Sequence, residues 1–422
     1  MSTTETNLSA APLREAPERI QTLDVLRGLA LMGIFIVHCV TGFSGWMFAS
    51  PEQQAAMPLA LANPLVGDIV SFLFTDKSRT LFAFMFGVSF FLQLRGGEQG
   101  SVSFRWQFLR RLGVLMLLGL IHGHLLFGGD ILRYYAAGGV ILLLVYRWPS
   151  VWLLVTGLVL AVLVPFVADQ VITLRSINIF ADFPPIPVIH QGYQSESLLD
   201  NLWMNHLSSM WRYHYFFLLF FAVPVTGVFL FGVWMARLGY LQRAELHRRS
   251  LRHLCAWGLS VGFLLQTAAL VVRELVEQKS MVLTPAWNTL MKVLEFSVAP
   301  LLVSLGYICG VALLCLNPAW ARRLSVLAPA GRMTLTNYVM QSVLGWAVFY
   351  GSGLGLYLRV GPALSLLIAL ALCGFQVVYS TLWLRYFRMG PLEWTWRWAV
   401  QGKRPAFRKE PIRVAATSSV AN

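Results

Sequence analysis

The sequence predicts an all-α, polytopic integral membrane protein with about ten transmembrane helices and both termini cytoplasmic. Three observations predict it. Of 422 residues, 57% are hydrophobic and only 12% charged, where a soluble globular chain carries about 25% charged residues. Apolar runs of about 20 residues, long enough to cross hydrocarbon as helices, recur along nearly the whole chain. Basic residues gather in alternate connections, so that 24 of the 33 Lys and Arg fall on one side of the spans, which the positive-inside rule makes cytoplasmic.

Residues 1–19 are polar, with Pro12, Pro17 and several glutamates, and predict a disordered cytoplasmic tail in place of a cleavable signal. Residues 20–400 form one transmembrane domain, and residues 401–422 a basic cytoplasmic tail. The spans run roughly Val25 to Gly45, Ser78 to Leu94, Phe104 to Phe127, Ile131 to Tyr146, Ser150 to Ala168, Tyr213 to Ala236, Leu254 to Val272, Leu290 to Leu316, Met333 to Tyr350 and Pro362 to Leu384. Ile131 to Tyr146 is short for a crossing, and Leu65 to Thr75 is too short to cross alone, so it is re-entrant or extends the second helix. The stretch from Asp169 to Arg212 reads as a long outer loop without clear periodicity, functional or disordered. Its end, Trp211-Arg212-Tyr213-His214-Tyr215, has the composition of an interfacial aromatic belt. No soluble domain, low-complexity segment or fixed-period repeat stands out.

Composition also excludes function classes. The net charge of +14 lies in short loops and the C-terminal tail with no aromatic-interleaved motif, so it reports topology and not nucleic-acid binding. Cys39, Cys255, Cys309, Cys315 and Cys373 lie in apolar runs without CxxC spacing, which argues against a disulfide framework or a metal site. The chain contains no Walker loop, GxGxxG fingerprint, HExxH or GxSxG elbow, features that an ATP-driven pump or a zincin protease would need.

The candidate chemistry lies in ionisable groups inside the apolar runs, where charge is expensive and marks function by default. Arg27 and His38 share one face of the first span, about 16 Å apart, with Asp24 near the same stripe. Arg111 and His122 repeat that offset on the third span. His122 and His124 are about 200° apart on a helix, so one of them faces the bundle interior. Asp76, Lys77, Arg79 and Asp130 are polar groups near the outer side, whereas Arg105, Arg110 and Arg111 stand at the cytoplasmic entrance and equally suit ordinary positive-inside anchors. For His38 the plain alternative is a hydrogen bond to a neighbouring helix. On the ninth span Thr334, Asn337 and Gln341 form a stripe with Tyr338 beside it, and the tenth carries Gln376 and Tyr379. Amides in hydrocarbon usually bond across helices, with substrate contact as the alternative. Lys292 with Glu295, and Glu393 with Arg397, have the spacing of helix-surface ion pairs. The segment from Gly390 to Trp398 reads as an interfacial anchor.

The run "RIQTLDVLRGLALMGIFIVH" resembles the opening of the YeiB-like bacterial membrane proteins, a family described as a domain of unknown function. So do "RTLFAFMFGVSF", "GDILRYYAAGG", "GRMTLTNYVMQSVLG" and "FRMGPLEWTWRW", which together cover nearly the whole chain from residue 19 to about residue 400. That family is similar in turn to the multipass acyltransferases, which include bacterial O-acetyltransferases and the lysosomal heparan N-acetyltransferase. The O-acetyltransferase branch carries an Arg, ten residues and a His on its first span, matched here by Arg27 and His38. Its later arginine cluster is matched loosely by Arg105, Arg110 and Arg111. Many YeiB-like members have Asn at the position of His38. The lysosomal branch uses a histidine past its first span, and this chain has none between Cys39 and Gly119, so that correspondence fails.

The resemblance implies an acyltransferase of the bacterial inner membrane that moves an acyl group, acetyl in the simplest case, from cytoplasmic acyl-CoA to an envelope or exported acceptor, a small molecule or a glycan. Acyl-CoA would be a co-substrate, with no permanently bound cofactor. Its phosphates would sit on Arg27, Arg105, Arg110 and Arg111, since guanidinium forks suit phosphate. His38 would act as general base, with transient acyl-histidine open and with His122 or His124 and Asp130 orienting it or binding the acceptor. Lys77, Arg79, Asn337 and Gln341 are the candidate acceptor contacts. The competing classes are a small-solute transporter using the same His and Arg cluster, for which no clear inverted repeat is visible, and a non-catalytic envelope protein.

Overall fold

A computed structural model describes residues 21–96, 102–177, 183–211 and 221–409. The N-terminal tail and the belt residues Arg212 to Tyr215 therefore lie outside the described residues. Among the described residues every regular element is helical, apart from an isolated antiparallel bridge between Phe387 and Arg408.

Helix α1 (Gln21–Val37) passes into a wider π-helical turn, His38–Phe43. Short helices α2 (Pro51–Ala56) and α3 (Asn63–Leu73) follow, then α4 (Lys77–Gly96), α5 (Val102–Leu125) and α6 (Leu132–Val145). Helix α7 (Ser150–Leu158) joins α8 (Val164–Leu174) through the π turn Val159–Leu163. Next come α9 (Ile186–Gln194), α10 (Leu198–Trp211), α11 (Val223–Arg237) and α12 (Arg248–Glu277). Helix α13 (Pro285–Val293) joins α14 (Ala299–Cys315) through the π turn Leu294–Val298. The chain ends with α15 (Pro318–Leu324), α16 (Ala328–Arg332), α17 (Thr334–Phe349), α18 (Pro362–Tyr386) and α19 (Pro391–Gln401).

This is a multi-pass membrane protein. Among the described residues, six helical stretches are long and apolar enough to cross: Gln21–Phe48, Phe104–Leu125, Ser150–Leu174, Arg248–Glu277, Pro285–Cys315 and Pro362–Tyr386. Leu132–Val145 and Val223–Arg237 are apolar but shorter. Of the most apolar stretch of α1, 78% is buried inside the bundle, against 22% for α12. Helix α1 is therefore the interior axis, and its polar residues meet protein, while α12 faces outward.

Two buried apolar clusters meet along that axis. One gathers Leu26 and Leu31 of α1 with Met85, Tyr135, Phe229 and Tyr338. The other gathers Phe35 and Phe43 with Phe349 and Tyr357. On α17 the change from one cluster to the other falls between Tyr338 and Phe349, the interval that holds the buried polar residues Gln341 and Ser342.

Three sequence expectations are corrected by this packing. The segment Leu65 to Thr75 is not an extension of the second helix: α3 ends at Leu73, and Asp76 takes the left-handed conformation, φ +62°, which breaks the helix before α4. Asp169 to Arg212 is not an irregular loop, because α8, α9 and α10 occupy most of it, with Asn201, Asn205 and Ser209 of α10 buried. Polar residues facing inward had erased the periodic apolar signal. Lys292 and Glu295 do not pair with each other: Lys292 bonds Asp169 at 3.1 Å and Glu295 bonds Arg273 at 2.6 Å. The π turn beginning at Leu294 widens the helix, so residues three apart no longer stack.

Candidate functional site

The buried centre begins with the turn between α5 and α6. Helix α5 stops at Leu125, and the Phe127-Gly128-Gly129-Asp130 turn reverses the chain so that Asp130 meets the preceding helix. Close approach requires a glycine: a Cβ on Gly119 would lie 2.6 Å from the Arg133 nitrogen and 2.9 Å from Asp130 Oδ2. Asp130 Oδ2 accepts the backbone N–H of Arg133 at 3.2 Å, within the first turn of α6. Its Oδ1 lies 2.9 Å from His122 Nδ1 and 3.4 Å from the Tyr338 hydroxyl. On the other side of the imidazole, Nε2 lies 2.8 Å from Ser342 Oγ on α17.

A carboxylate only accepts, so His122 presents Nδ1–H to Asp130 and leaves Nε2 to accept from the Ser342 hydroxyl. Ser342, His122 and Asp130 are 3%, 2% and 1% exposed, so the chain of bonds lies in a dry, low-dielectric interior where each bond is strengthened. The geometry matches the relay in which a carboxylate fixes an imidazole that in turn accepts a hydroxyl proton.

Next to this centre is a basic cavity of about 310 Å³, bounded by α1, α4, α5, α6, α16, α17 and α19. Arg27, Arg332 and Arg397 line it, and so does Tyr338. Arg27 donates to Asp24 Oδ1 at 3.1 Å and to Ser89 Oγ at 2.6 Å, which fixes its guanidinium against α4. Arg111 stands behind that wall, donating to Gln93 and lying 5.8 Å over the Trp396 ring, two of the lining residues. Among the described residues, the only acidic side chain in the lining is Glu393. It does not pair with Arg397, as the i,i+4 spacing had suggested. Instead its carboxylate accepts from Leu335 N, Thr336 N and Thr336 Oγ1 at 2.6, 3.0 and 2.6 Å. The exposed amides of a helix N-terminus are stronger partners for a carboxylate than one solvated guanidinium. The cavity therefore keeps an excess of positive charge.

Tyr338 touches both the cavity and the buried centre. It lines the cavity, its ring packs on His122 with centroids 4.9 Å apart, and its hydroxyl accepts from Ile131 N at 3.2 Å. Ser342 follows one turn later on the same face of α17.

Burial of Glu393 pushes its carboxyl above the ordinary carboxylate range, against the opposing pull of the Thr336 and Leu335 bonds. A raised carboxyl makes the native state bind more protons than the unfolded one, so stability is full at acid pH and falls as pH rises through the shifted value. Glu393→Gln is expected to flatten the decline in thermal midpoint between pH 4.5 and neutrality. Superimposable profiles for the variant and wild type would refute the assignment.

The other residues singled out by the sequence fall in several places. His122 faces the interior, while His124 lies 4.9 Å from the His206 ring on α10. His38 packs on Phe127, centroids 4.6 Å apart, at the opposite end of α1 from Arg27. Arg110 is exposed and donates to the Ala399 carbonyl at 3.3 Å. Arg105 is exposed and bonds Tyr146, outside the cavity. Lys77 is buried and donates to the Ser71 carbonyl at 3.1 Å, and Arg79 pairs with Asp76 at 2.8 Å. Asn337 bonds Ser380 at 2.8 Å and Gln341 bonds Gln376 at 3.0 Å, so both amides hold α17 to α18.

Residues 235–403 match the family model described as protein of unknown function DUF418. The uncharacterized protein YxaH of Bacillus subtilis (strain 168) is 31% identical, over 90% of this chain and 94% of its own length. The uncharacterized protein YeiB of Escherichia coli (strain K12) is 28% identical, over 90% of this chain and 96% of its own length. An uncharacterized 39.9 kDa protein in the amylase 3′ region of Bacillus acidopullulyticus is likewise 28% identical, over 90% of this chain and 93% of its own length. The chain belongs to the YeiB-like DUF418 family.

In this YeiB-like fold the motifs that carried the resemblance converge. "GDILRYYAAGG" supplies Asp130, "RTLFAFMFGVSF" supplies Ser89, "GRMTLTNYVMQSVLG" supplies Arg332, Tyr338 and Ser342, and "FRMGPLEWTWRW" supplies Glu393 and Arg397. Sequence reasoning passed over Ser342 and Arg332 as site residues and gave Arg397 only an ion pair with Glu393. A serine in a membrane helix and basic residues beside spans are common, and only their clustering within the family motifs distinguished them.

Proposed function

We propose that this protein is a membrane-embedded acyltransferase that moves an acyl group, acetyl in the simplest case, from acyl-CoA to a hydroxyl or amine of an envelope or exported molecule. One observation carries the reading: a cavity lined by three arginines is also lined by Tyr338, whose ring packs on an imidazole already held by a carboxylate. Phosphates dock on Arg27, Arg332 and Arg397, with Arg111 adding positive charge from behind Gln93 and Trp396, because planar guanidinium groups bind phosphate in two-point contacts. The slender thioester arm lies along α17. Eight residues separate Thr334, at the start of α17 beside Arg332, from Ser342, about 12 Å of helix, a span that an extended arm covers. His122 is the general base. His38, beside Phe127, borders the acceptor's approach.

In this reading the cavity opens to the cytoplasm of a bacterial inner membrane, the chain crosses about ten times and both termini are cytoplasmic. The charge distribution, 24 of 33 basic residues on one side, supports that orientation.

Calorimetry with acetyl-CoA in detergent tests the donor dock. Wild type is expected to bind in the micromolar range, Arg332→Ala/Arg397→Ala at least about tenfold more weakly, a loss of about 1.4 kcal/mol, and Arg105→Ala with little change. Folded wild type that binds no acetyl-CoA would remove the reading.

A further inference from the structure

We propose that Ser342 is the nucleophile of this protein and carries the acyl group covalently between donor and acceptor. The identity of the donor rests on the acyl-transfer reading above, whereas the reactivity of Ser342 rests on the His122–Asp130 geometry alone.

The orientation of the hydroxyl points to this role. Inside an apolar helix a serine or threonine usually returns its hydroxyl hydrogen to the carbonyl four residues back. Thr41, Ser44, Ser89, Thr226 and Thr381 all do so here, donating to Val37, Val40, Met85, Ala222 and Val377. Ser342 is turned instead toward His122 Nε2, 2.8 Å away, while Asp130 holds Nδ1 at 2.9 Å. The three residues come from positions 122, 130 and 342, on α5, on the turn before α6 and on α17. Only the fold brings them together. Asp130 also accepts from the backbone of α6 and from Tyr338, so the carboxylate that orients the imidazole is itself fixed.

The chemistry balances without a further reactant. Ser342 Oγ attacks the thioester carbonyl carbon while His122 Nε2 takes the hydroxyl proton. The C–S bond breaks, and the departing CoA sulfur takes that proton from His122, leaving an acyl ester on Ser342. The acceptor hydroxyl or amine then gives a proton to His122 and attacks the ester carbonyl. The bond to Ser342 Oγ breaks, and the oxygen recovers the proton. A double displacement of this kind also answers a spatial difficulty. The basic cavity and His38 lie toward opposite ends of α1, and a covalent intermediate lets donor and acceptor approach from opposite ends without meeting. Tyr338 lines the cavity and packs on His122, whereas Ser342 is buried, so side chains around it must shift for the first step.

Two measurements on the full-length protein in detergent test the inference. Wild type is incubated with radiolabelled acetyl-CoA without acceptor, quenched in acid and mapped by mass spectrometry. An acetyl ester on the peptide holding Ser342 is expected, and it should be absent from Ser342→Ala, with transfer lowered on the order of 10⁶-fold. Separately, a small radiolabelled fluorophosphonate, which reports an activated serine whatever its natural donor, is expected to label Ser342 in wild type and not in His122→Ala. Wild type that transfers acetyl with Ser342 unlabelled by both reagents overturns the nucleophile and leaves the acyltransferase reading standing. Fluorophosphonate labelling of Ser342 in protein that binds no acetyl-CoA does the reverse.

Discussion

Asp130→Asn is expected to lower acyl transfer by about 10³- to 10⁴-fold while leaving acetyl-CoA binding at the arginine cavity within about twofold. The two side chains have nearly the same shape, so the turn that places residue 130 against α5 is retained. The difference is electronic. The Asp130 carboxylate accepts from His122 Nδ1 at 2.9 Å and holds the tautomer whose Nε2 faces Ser342. An asparagine can turn its NH₂ toward Nδ1, which favours the tautomer with the proton on Nε2 and leaves no base for the serine hydroxyl. It also withdraws the negative charge that stabilises the imidazolium formed when the proton moves. Single-turnover transfer in proteoliposomes loaded with acetyl-CoA, beside calorimetric binding, separates the two effects. Unchanged turnover would show that His122 and Asp130 form only a structural bond, and equal losses in binding and turnover would assign Asp130 to the donor dock.

Gly331→Ala is expected to cost about 3 kcal/mol of stability and to weaken acetyl-CoA binding as well. A Cβ at this position would lie 1.8 Å from the Asp24 carbonyl oxygen and 2.8 Å from the Gly28 nitrogen. Both are backbone atoms of the central helix, so no side-chain rotation relieves the clash. The same crossing is tight from the other side, where a Cβ on Gly28 would meet the Leu327 carbonyl oxygen at 2.4 Å. The crossing also sets the site. Arg27 immediately precedes Gly28 on α1 and Arg332 immediately follows Gly331 on α16, so pushing these helices apart separates two arginines of the same cavity wall. A lowered thermal midpoint in detergent, with weaker acetyl-CoA binding in the fraction that remains folded, is the expected pair of results. A variant as stable as wild type would contradict so close an approach of α1 and α16.

Much of the architecture was legible in the residues. Long apolar runs and sparse charge dictated helices, and the same hydrophobicity dictated a bilayer as solvent. The opposite orientations of His122 and His124 followed from helical phase alone, and His122 is the one in the interior. The amide stripe of Asn337 and Gln341 likewise announced helix-to-helix bonding, here to Ser380 and Gln376. Local irregularities were not legible. The π turn at Leu294–Val298 redirected Glu295 to Arg273, and the left-handed Asp76 cut α3 from α4. Each changes side-chain phase without any distinctive residue at the point where it occurs.

The sequence by itself therefore determined the class of molecule, the helical elements, the family and the presence of costly ionisable groups inside apolar runs. Those properties depend on composition and on spacing of a few residues, which a single helix expresses. Tertiary structure alone decided which groups act together. Ser342 is 220 residues from His122, and Glu393 caps α17 from 57 residues away at Thr336. No local periodicity records such distances. They are fixed by helix crossings such as Gly28 and Gly331 against backbone, where the absence of a side chain sets how closely two elements pack and so which polar atoms can reach one another.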